Sequence, residues 1–176
     1  MAMVAGTCFA EAQSERWGEA NDGLRCRWRT ASLRMEHAYA PVLALEIENV
    51  SDQAIEWEHS GCGITIDEPP IKGAALTFGD VVIPGRDARV MTEREVGETF
   101  HTGRPDVSPD APFEGYYRLE PGGRLTLILS VPWSFRDKLT EGEHKIYAFA
   151  FRRNPFHGSD RMRNEIACEP LIVQVH

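Results

Sequence analysis

The sequence predicts an all-β fold, an antiparallel sandwich of two sheets with about eight or nine strands and one long loop. Three observations predict it. Apolar and polar residues alternate with a period of two in four separate segments, as in strands with one wet and one dry face. Turn-forming residues punctuate those segments at short intervals. No segment carries a sustained, capped helical stripe, so there are no crossover helices to build a parallel α/β sheet.

The elements follow in order along the chain. After the turn Asn21-Asp22-Gly23, Leu24, Cys26 and Trp28 alternate with Arg25, Arg27 and Arg29. Next, Leu43, Leu45 and Ile47 alternate with Ala44, Glu46 and Glu48, and the turn Asn49-Val50-Ser51-Asp52 leads to Ile55 and Trp57 alternating with Glu56 and Glu58. Glu120-Pro121-Gly122-Gly123 introduces the fourth segment, in which Leu125, Leu127, Leu129 and Val131 alternate with Arg124, Thr126, Ile128 and Ser130. The first residue set of each segment, with Trp57 alone from the third, is the expected core. Shorter strands are expected at Ala74–Phe78, Val81–Ile83, Tyr116–Leu119, Lys145–Arg152 and Leu171–Val175. Within them Ile146-Tyr147-Ala148-Phe149-Ala150-Phe151 is apolar on both faces, as in a covered central strand. Short helical turns are expected at Ser134–Leu139 and Asp87–Val96.

Charge adds a pairing rule. The outward Arg25, Arg27 and Arg29 would repel a basic neighbour, whereas Glu46, Glu48, Glu56 or Glu58 opposite them gains ~0.2–1 kcal/mol per pair. That face reads as a solvated surface with no binding role. Over all 176 residues, 27 acidic against 19 basic side chains leave a formal charge of −8. This balance argues against nucleic acid and anionic membrane surfaces as partners. No apolar run is long enough for a membrane-spanning helix, so no membrane insertion is expected. A chain of this length builds one domain that needs neither metal nor disulfide to hold it.

Residues 1–16 are expected to be a signal-peptide remnant or a flexible N-terminus. They are small and apolar and contain Ala10-Glu11-Ala12, the small-x-small step of a cleavage site, without a basic leader. Residues 17–176 then form the domain, periplasmic or secreted if the leader reading holds and cytoplasmic otherwise. Of Cys8, Cys26, Cys62 and Cys168, Cys26 reads as a buried thiol on a strand. Cys62 and Cys168, in or beside loops, are the expected disulfide, although the sequence leaves the pairing open.

No catalytic or metal-binding pattern emerges. There is no G-x-S-x-G elbow, no H-E-x-x-H and no phosphate-cradling glycine loop. Asp67-Glu68 before Pro69-Pro70 reads as a polar loop. The histidines are scattered, with His59 and Cys62 the nearest approach to a ligand pair, so no metal and no cofactor are expected. Trp133 and Phe135 are the one compact aromatic pair near a loop that a sugar-binding module would use, and both read more simply as core.

Asn49-Val50-Ser51-Asp52 followed by Ile55-Glu56-Trp57 resembles bacterial immunoglobulin-like sandwich domains. Leu119-Glu120-Pro121-Gly122 and Leu139-Thr140-Glu141-Gly142-Glu143 extend the resemblance, which covers about residues 17–176. The order Asn-x-Ser, Ser60-Gly61, Asp67, Pro-Gly, Gly-Glu is similar to BsuPI-type proteinase inhibitor domains. Trp17-Gly18-Glu19-Ala20 with Gly23-Leu24-Arg25 also resembles exported bacterial domains. The resemblance implies a non-catalytic exported domain that binds a protein or cell-surface component through its loops. A proteinase-inhibitor-like role is the second reading, and a carbohydrate-binding module the third.

The residues themselves point to Asp80–Gly115 as the site, because its mixed charges and later prolines break the strand pattern. Arg94, Phe100, His101 and Arg104 are the expected contacts, with Phe100 as apolar anchor. Prolines that stiffen a loop lower the entropy lost on binding.

Overall fold

A computed structural model of the chain describes residues 8–11, 16–29, 32–35, 42–69, 80–102, 104, 106–130, 135, 137–153 and 163–175. The expected Ala74–Phe78 strand, Val131 and Trp133 lie outside them, as do Ser134 and Arg136 of the expected turn Ser134–Leu139. The elements in chain order are β1 (Cys8–Glu11), β2 (Leu24–Trp28), β3 (Ser32–Met35), β4 (Val42–Asn49), β5 (Ile55–Ile66), β6 (Asp80–Pro84), β7 (Ala88–Thr92), α1 (Glu93–Phe100), β8 (Pro112–Leu119), β9 (Arg124–Ser130), β10 (Gly142–Arg153), β11 (Arg163–Ala167) and β12 (Leu171–Val175).

The fold is all-β with two antiparallel sheets. One has four strands in the order β2-β4-β9-β6. The other has six, in the order β11-β10-β5-β8-β7 with β12 also on β10. A separate two-stranded ribbon joins β1 to β3. The long β10 explains the branch: its first half pairs with β12, its second half with β11, and β5 runs along its other side.

Alternation decides which face is dry. Leu24, Cys26, Trp28, Leu43, Leu45, Ile47, Trp57, Leu125, Leu127 and Leu129 are all buried, together with Ile64, Leu119, Ile146 and Val173 from the second sheet. The Trp28 indole N–H donates to the Glu169 carbonyl at 2.8 Å, so a polar atom at the core edge is satisfied. Outside, charge sets register as expected. Arg25 stands opposite Glu48 and Arg27 opposite Glu46, with Nε–Oε2 distances of 2.7 Å in both pairs. Arg124 of β9 reaches Glu48 from the other side, Nη2 to Oε1 at 2.7 Å. Burial alone would raise the Glu48 carboxyl, but Arg124 and Arg25 outweigh it and hold the group below its usual range.

Three crossovers between the sheets meet at one end, and Asn49 joins two of them, β4 to β5 and β8 to β9. This wholly buried side chain donates to the carbonyls of Gln53 at 2.7 Å and Leu119 at 3.0 Å. Its Oδ1 accepts from the Ser51 amide at 2.9 Å and hydroxyl at 2.7 Å. Its backbone pairs with Gly123 and Gly122, both at 2.9 Å. The third crossover joins through Glu120 N–H to Asp87 O and Arg124 N–H to Arg86 O, each at 2.9 Å. Gly123 is required here, since a Cβ would stand 2.3 Å from the Asp87 carbonyl oxygen.

The disulfide differs from the expected one. Cys168 bonds to Cys26, and Cys62 is a buried thiol. Cys62 lies inside the twelve-residue β5, opposite Ala150 of β10, and not in a loop. Cys26 sits on edge strand β2 in a parallel bridge to Cys168, with Cα atoms 4.8 Å apart, within disulfide reach. The link spans 142 residues of sequence and contributes on the order of 2–5 kcal/mol by restricting the unfolded chain.

The long loop expected over Asp80–Gly115 is instead β6, β7, α1 and the first part of β8. The helix begins at Glu93, later than expected, because Ala88–Thr92 is held extended by pairing with β8.

At the sandwich's other end His144 is clasped. Its Nδ1 lies 2.8 Å from the Asp67 carboxylate and its Nε2 2.8 Å from the Thr140 carbonyl, so a doubly protonated ring satisfies both acceptors. Asp67 also accepts from the Lys145 amide at 2.9 Å. The Asp67 contact raises the imidazole pKa above 6.5, against the opposing effect of burial. A raised folded-state pKa means that the clasp contributes fully below pH 6.5 and is lost as pH rises through the folded value. Stability of the native protein should therefore fall with pH across that window, and His144→Asn should flatten the fall. Urea unfolding at a series of pH values checks this; an unchanged slope in the variant would place the dependence elsewhere.

The corner makes a second prediction. Asn49→Ala removes the side-chain partners of the Leu119 and Gln53 carbonyls and of the Ser51 amide, the first of them buried, and should cost about 2–4 kcal/mol. Asn49→Asp should also be destabilising, because a carboxylate cannot donate to the carbonyls of Gln53 and Leu119. A urea midpoint within error of the native value for either variant would show that the corner does not depend on this side chain.

Candidate functional site

Helix α1 starts where it does for a local reason. Thr92 is the N-cap, with its hydroxyl accepting from the Glu95 amide while the Glu95 carboxylate accepts from the Thr92 amide at 2.9 Å. Arg89, in the strand β7 that ends at Thr92, donates to the same carboxylate, Nη1 to Oε2 at 2.7 Å. Glu93 and Glu95 in the first turn also complement the helix dipole. The helix ends at His101, in the left-handed conformation with φ 54°.

The segment after the helix folds back on it. Glu93 N–H donates to the Ala111 carbonyl at 2.9 Å and Arg94 N–H to the Pro109 carbonyl at 3.0 Å. Glu93 itself is buried, and its carboxylate accepts from Arg104 Nε at 2.6 Å and from the Arg104 amide at 3.3 Å. The Arg104 guanidinium lies 4.4 Å from the centre of the Phe113 ring. Phe113 meets Tyr116 edge to face at 4.8 Å, and Tyr116 meets Phe100 in the same way at 5.0 Å. The result is a line of half-exposed groups, Arg104, Phe113, Tyr116 and Phe100.

Phe113 and Tyr116 are three residues apart, and in a regular strand they would point to opposite faces. Gly115 between them adopts φ 87°, and the β7–β8 register shifts between Val90 and Thr92. A local break of this kind re-aims a side chain, and here it lets the two rings meet.

The structure therefore gathers two of the four expected contacts, Phe100 and Arg104, at opposite ends of one aromatic line. Arg94 is exposed in the first turn of the helix, 3.1 Å from Asp110. His101 is exposed at the helix C-cap, next to Phe100 in the chain. Phe113, Tyr116 and Glu93 were not legible as site residues; the one signal for the rings was a glycine inside a strand pattern.

Other candidates give less. Cys62 is buried in the core, and His59 stacks near Trp57 at 6.3 Å. Among the described residues no group of three or more His, Cys, Asp or Glu side chains is placed to hold a metal ion. Phe135 is buried and offers no ring to a sugar. A cleft of about 420 Å³ lies between Gly18–Asn21 and Ala167–Pro170 beside the disulfide, but among the described residues its lining has no ionisable side chain besides Glu19 and Glu169.

The Arg89 contact depresses the Glu95 carboxyl to about 2, more than burial raises it, with the Thr92 backbone and hydroxyl adding to the effect. This contribution is present above pH 4.5 and lost as pH falls through about 2. Carboxyl NMR titration should show Glu95 with a midpoint near 2; a midpoint near 4.5 would mean that Arg89 does not hold it.

The chain matches no protein-family model, no curated protein and no solved structure.

Proposed function

We propose that the chain is a non-catalytic, exported immunoglobulin-like sandwich that binds a protein or cell-surface component through α1 and the segment folded against it. The observation that carries this reading is the half-exposed line Arg104–Phe113–Tyr116–Phe100, built on a capped helix and a sheet edge. Aromatic rings and arginine dominate binding energy at protein interfaces, and a fixed base lowers the entropy cost of using them. His101 and Arg94 extend the contact surface at the two ends of the helix.

Carboxylates around the helix support a binding role over a catalytic one. Glu93 is engaged by Arg104, Glu95 by Arg89 and Asp110 by Arg94. An acid or base for catalysis must be open to substrate; Glu93 is buried against Arg104 and Glu95 is held in the helix cap by Arg89 and Thr92. The disulfide Cys26–Cys168 supports export, since such bonds persist in oxidising compartments.

Point substitutions are the right test, because removing Asp80–Gly115 would delete two strands of the sandwich. Immobilised native protein should retain a defined component of the cell envelope, with Phe100→Ala and Arg104→Ala each weakening retention about tenfold or more. Retention equal to that of the native protein in both variants, with unchanged circular dichroism, would sink the proposal.

A further inference from the structure

We propose a second docking surface, on the outer face of the four-stranded sheet, for a short acidic segment of another protein that carries aliphatic residues a few positions away. Its register lays out three rows. Arg25, Glu48 and Arg124 form the first; Arg27, Glu46, Thr126 and Ile83 the second; Ala44, Ile128 and Val81 the third. One side of the face is therefore basic and the other apolar.

The basic side presents surplus positive charge. Arg25, Arg27, Arg29 and Arg124 surround two carboxylates, Glu46 and Glu48, whose side chains are only 6% and 9% exposed. Both Glu48 oxygens accept guanidinium hydrogen bonds, Oε2 from Arg25 and Oε1 from Arg124. Glu46 gives Oε2 to Arg27 and Oε1 to Arg29. These glutamates are consumed within the lattice and do not compete for a ligand. Arg29 and Arg124 face solvent, at 52% and 39% exposure, leaving a local charge of about +2 on a chain of net −8.

Trp17 makes that side rigid. Its ring lies 4.4 Å from the Arg25 guanidinium and 4.5 Å from that of Arg27. Guanidiniums already fixed by stacking and by carboxylates lose little entropy on binding. The apolar side is open: Val81 is 60% and Ile83 45% exposed, large values for aliphatic side chains.

The width of the face fixes the occupant. From β2 to β6 there are three inter-strand steps of ~4.8 Å, roughly 14 Å, which about five extended residues cross. A long polyanion such as nucleic acid would meet repulsion from the remaining charge of this chain. A short acidic segment that ends in aliphatic residues matches both halves.

The test uses a labelled hexapeptide, Asp-Glu-Ser-Gly-Val-Ile with blocked ends, and two controls: Asn-Gln in place of Asp-Glu, and Ser-Ser in place of Val-Ile. Nuclear magnetic resonance should show the first peptide shifting the Arg29 and Arg124 Nε–H signals and the Val81, Ile83 and Ile128 methyls, with a dissociation constant of about 1 mM or tighter. Each control, and each of the folded variants Arg29→Glu and Ile83→Ser, should bind at least fivefold more weakly. No binding, equal binding of either control, or shifts confined to α1 would overturn the proposal. The variants leave α1 intact, so this outcome is separate from that of the envelope-retention test.

Discussion

The structure depends on a single saturated amide. A sandwich must pass its chain from one sheet to the other several times, and every passage leaves backbone groups that neither sheet can satisfy. Asn49 resolves this for the crossovers from β4 to β5 and from β8 to β9, using both side-chain donors and both acceptor positions of Oδ1. The arch from β6 to β7 is attached by backbone bonds from Glu120 and Arg124. Burying a polar group this completely is favourable only when each of its bonds is made, so the corner has one arrangement and not several. That arrangement sets where β5 begins and where β8 ends.

The two lateral edges of the sandwich are closed by different means. On one side β6 and β7 are joined by a tight arch through Arg86 and Asp87, the latter with φ 52°. On the other, β2 and the β11–β12 junction are joined covalently by Cys26 and Cys168. The aromatic line at α1 stands by the arch side and the Trp17–arginine lattice by the disulfide side. The second proposed site runs from that lattice across the outer face to Val81 and Ile83 of β6, and the two sites carry different chemistry.

Alternation made the core readable in advance, because period two is a property of the backbone and survives any choice of neighbour. The arginine–glutamate pairing was also readable, since like charges across a ladder repel. What could not be read were contacts set by tertiary neighbours. β7 is five residues without clear alternation and owes its extended shape to β8. Cys26 alternates like a core residue whether or not another sulfur stands beside it, so the pattern could not reveal the bond to Cys168. Phe100 and Arg104 were singled out because the charges and prolines around them broke the strand pattern. Phe113 and Tyr116 were hidden because only the turn at Gly115 brings them together.

The disulfide has a mechanical consequence. Tension applied between the residues before Cys26 and those after Cys168 would pass through the sulfur bridge, bypassing the 142-residue span it closes. β4 to β10, including the corner and α1, lie wholly inside that bypassed span. Under load the segment between the two cysteines would behave as a short covalent link with a shielded body attached until the bond is reduced.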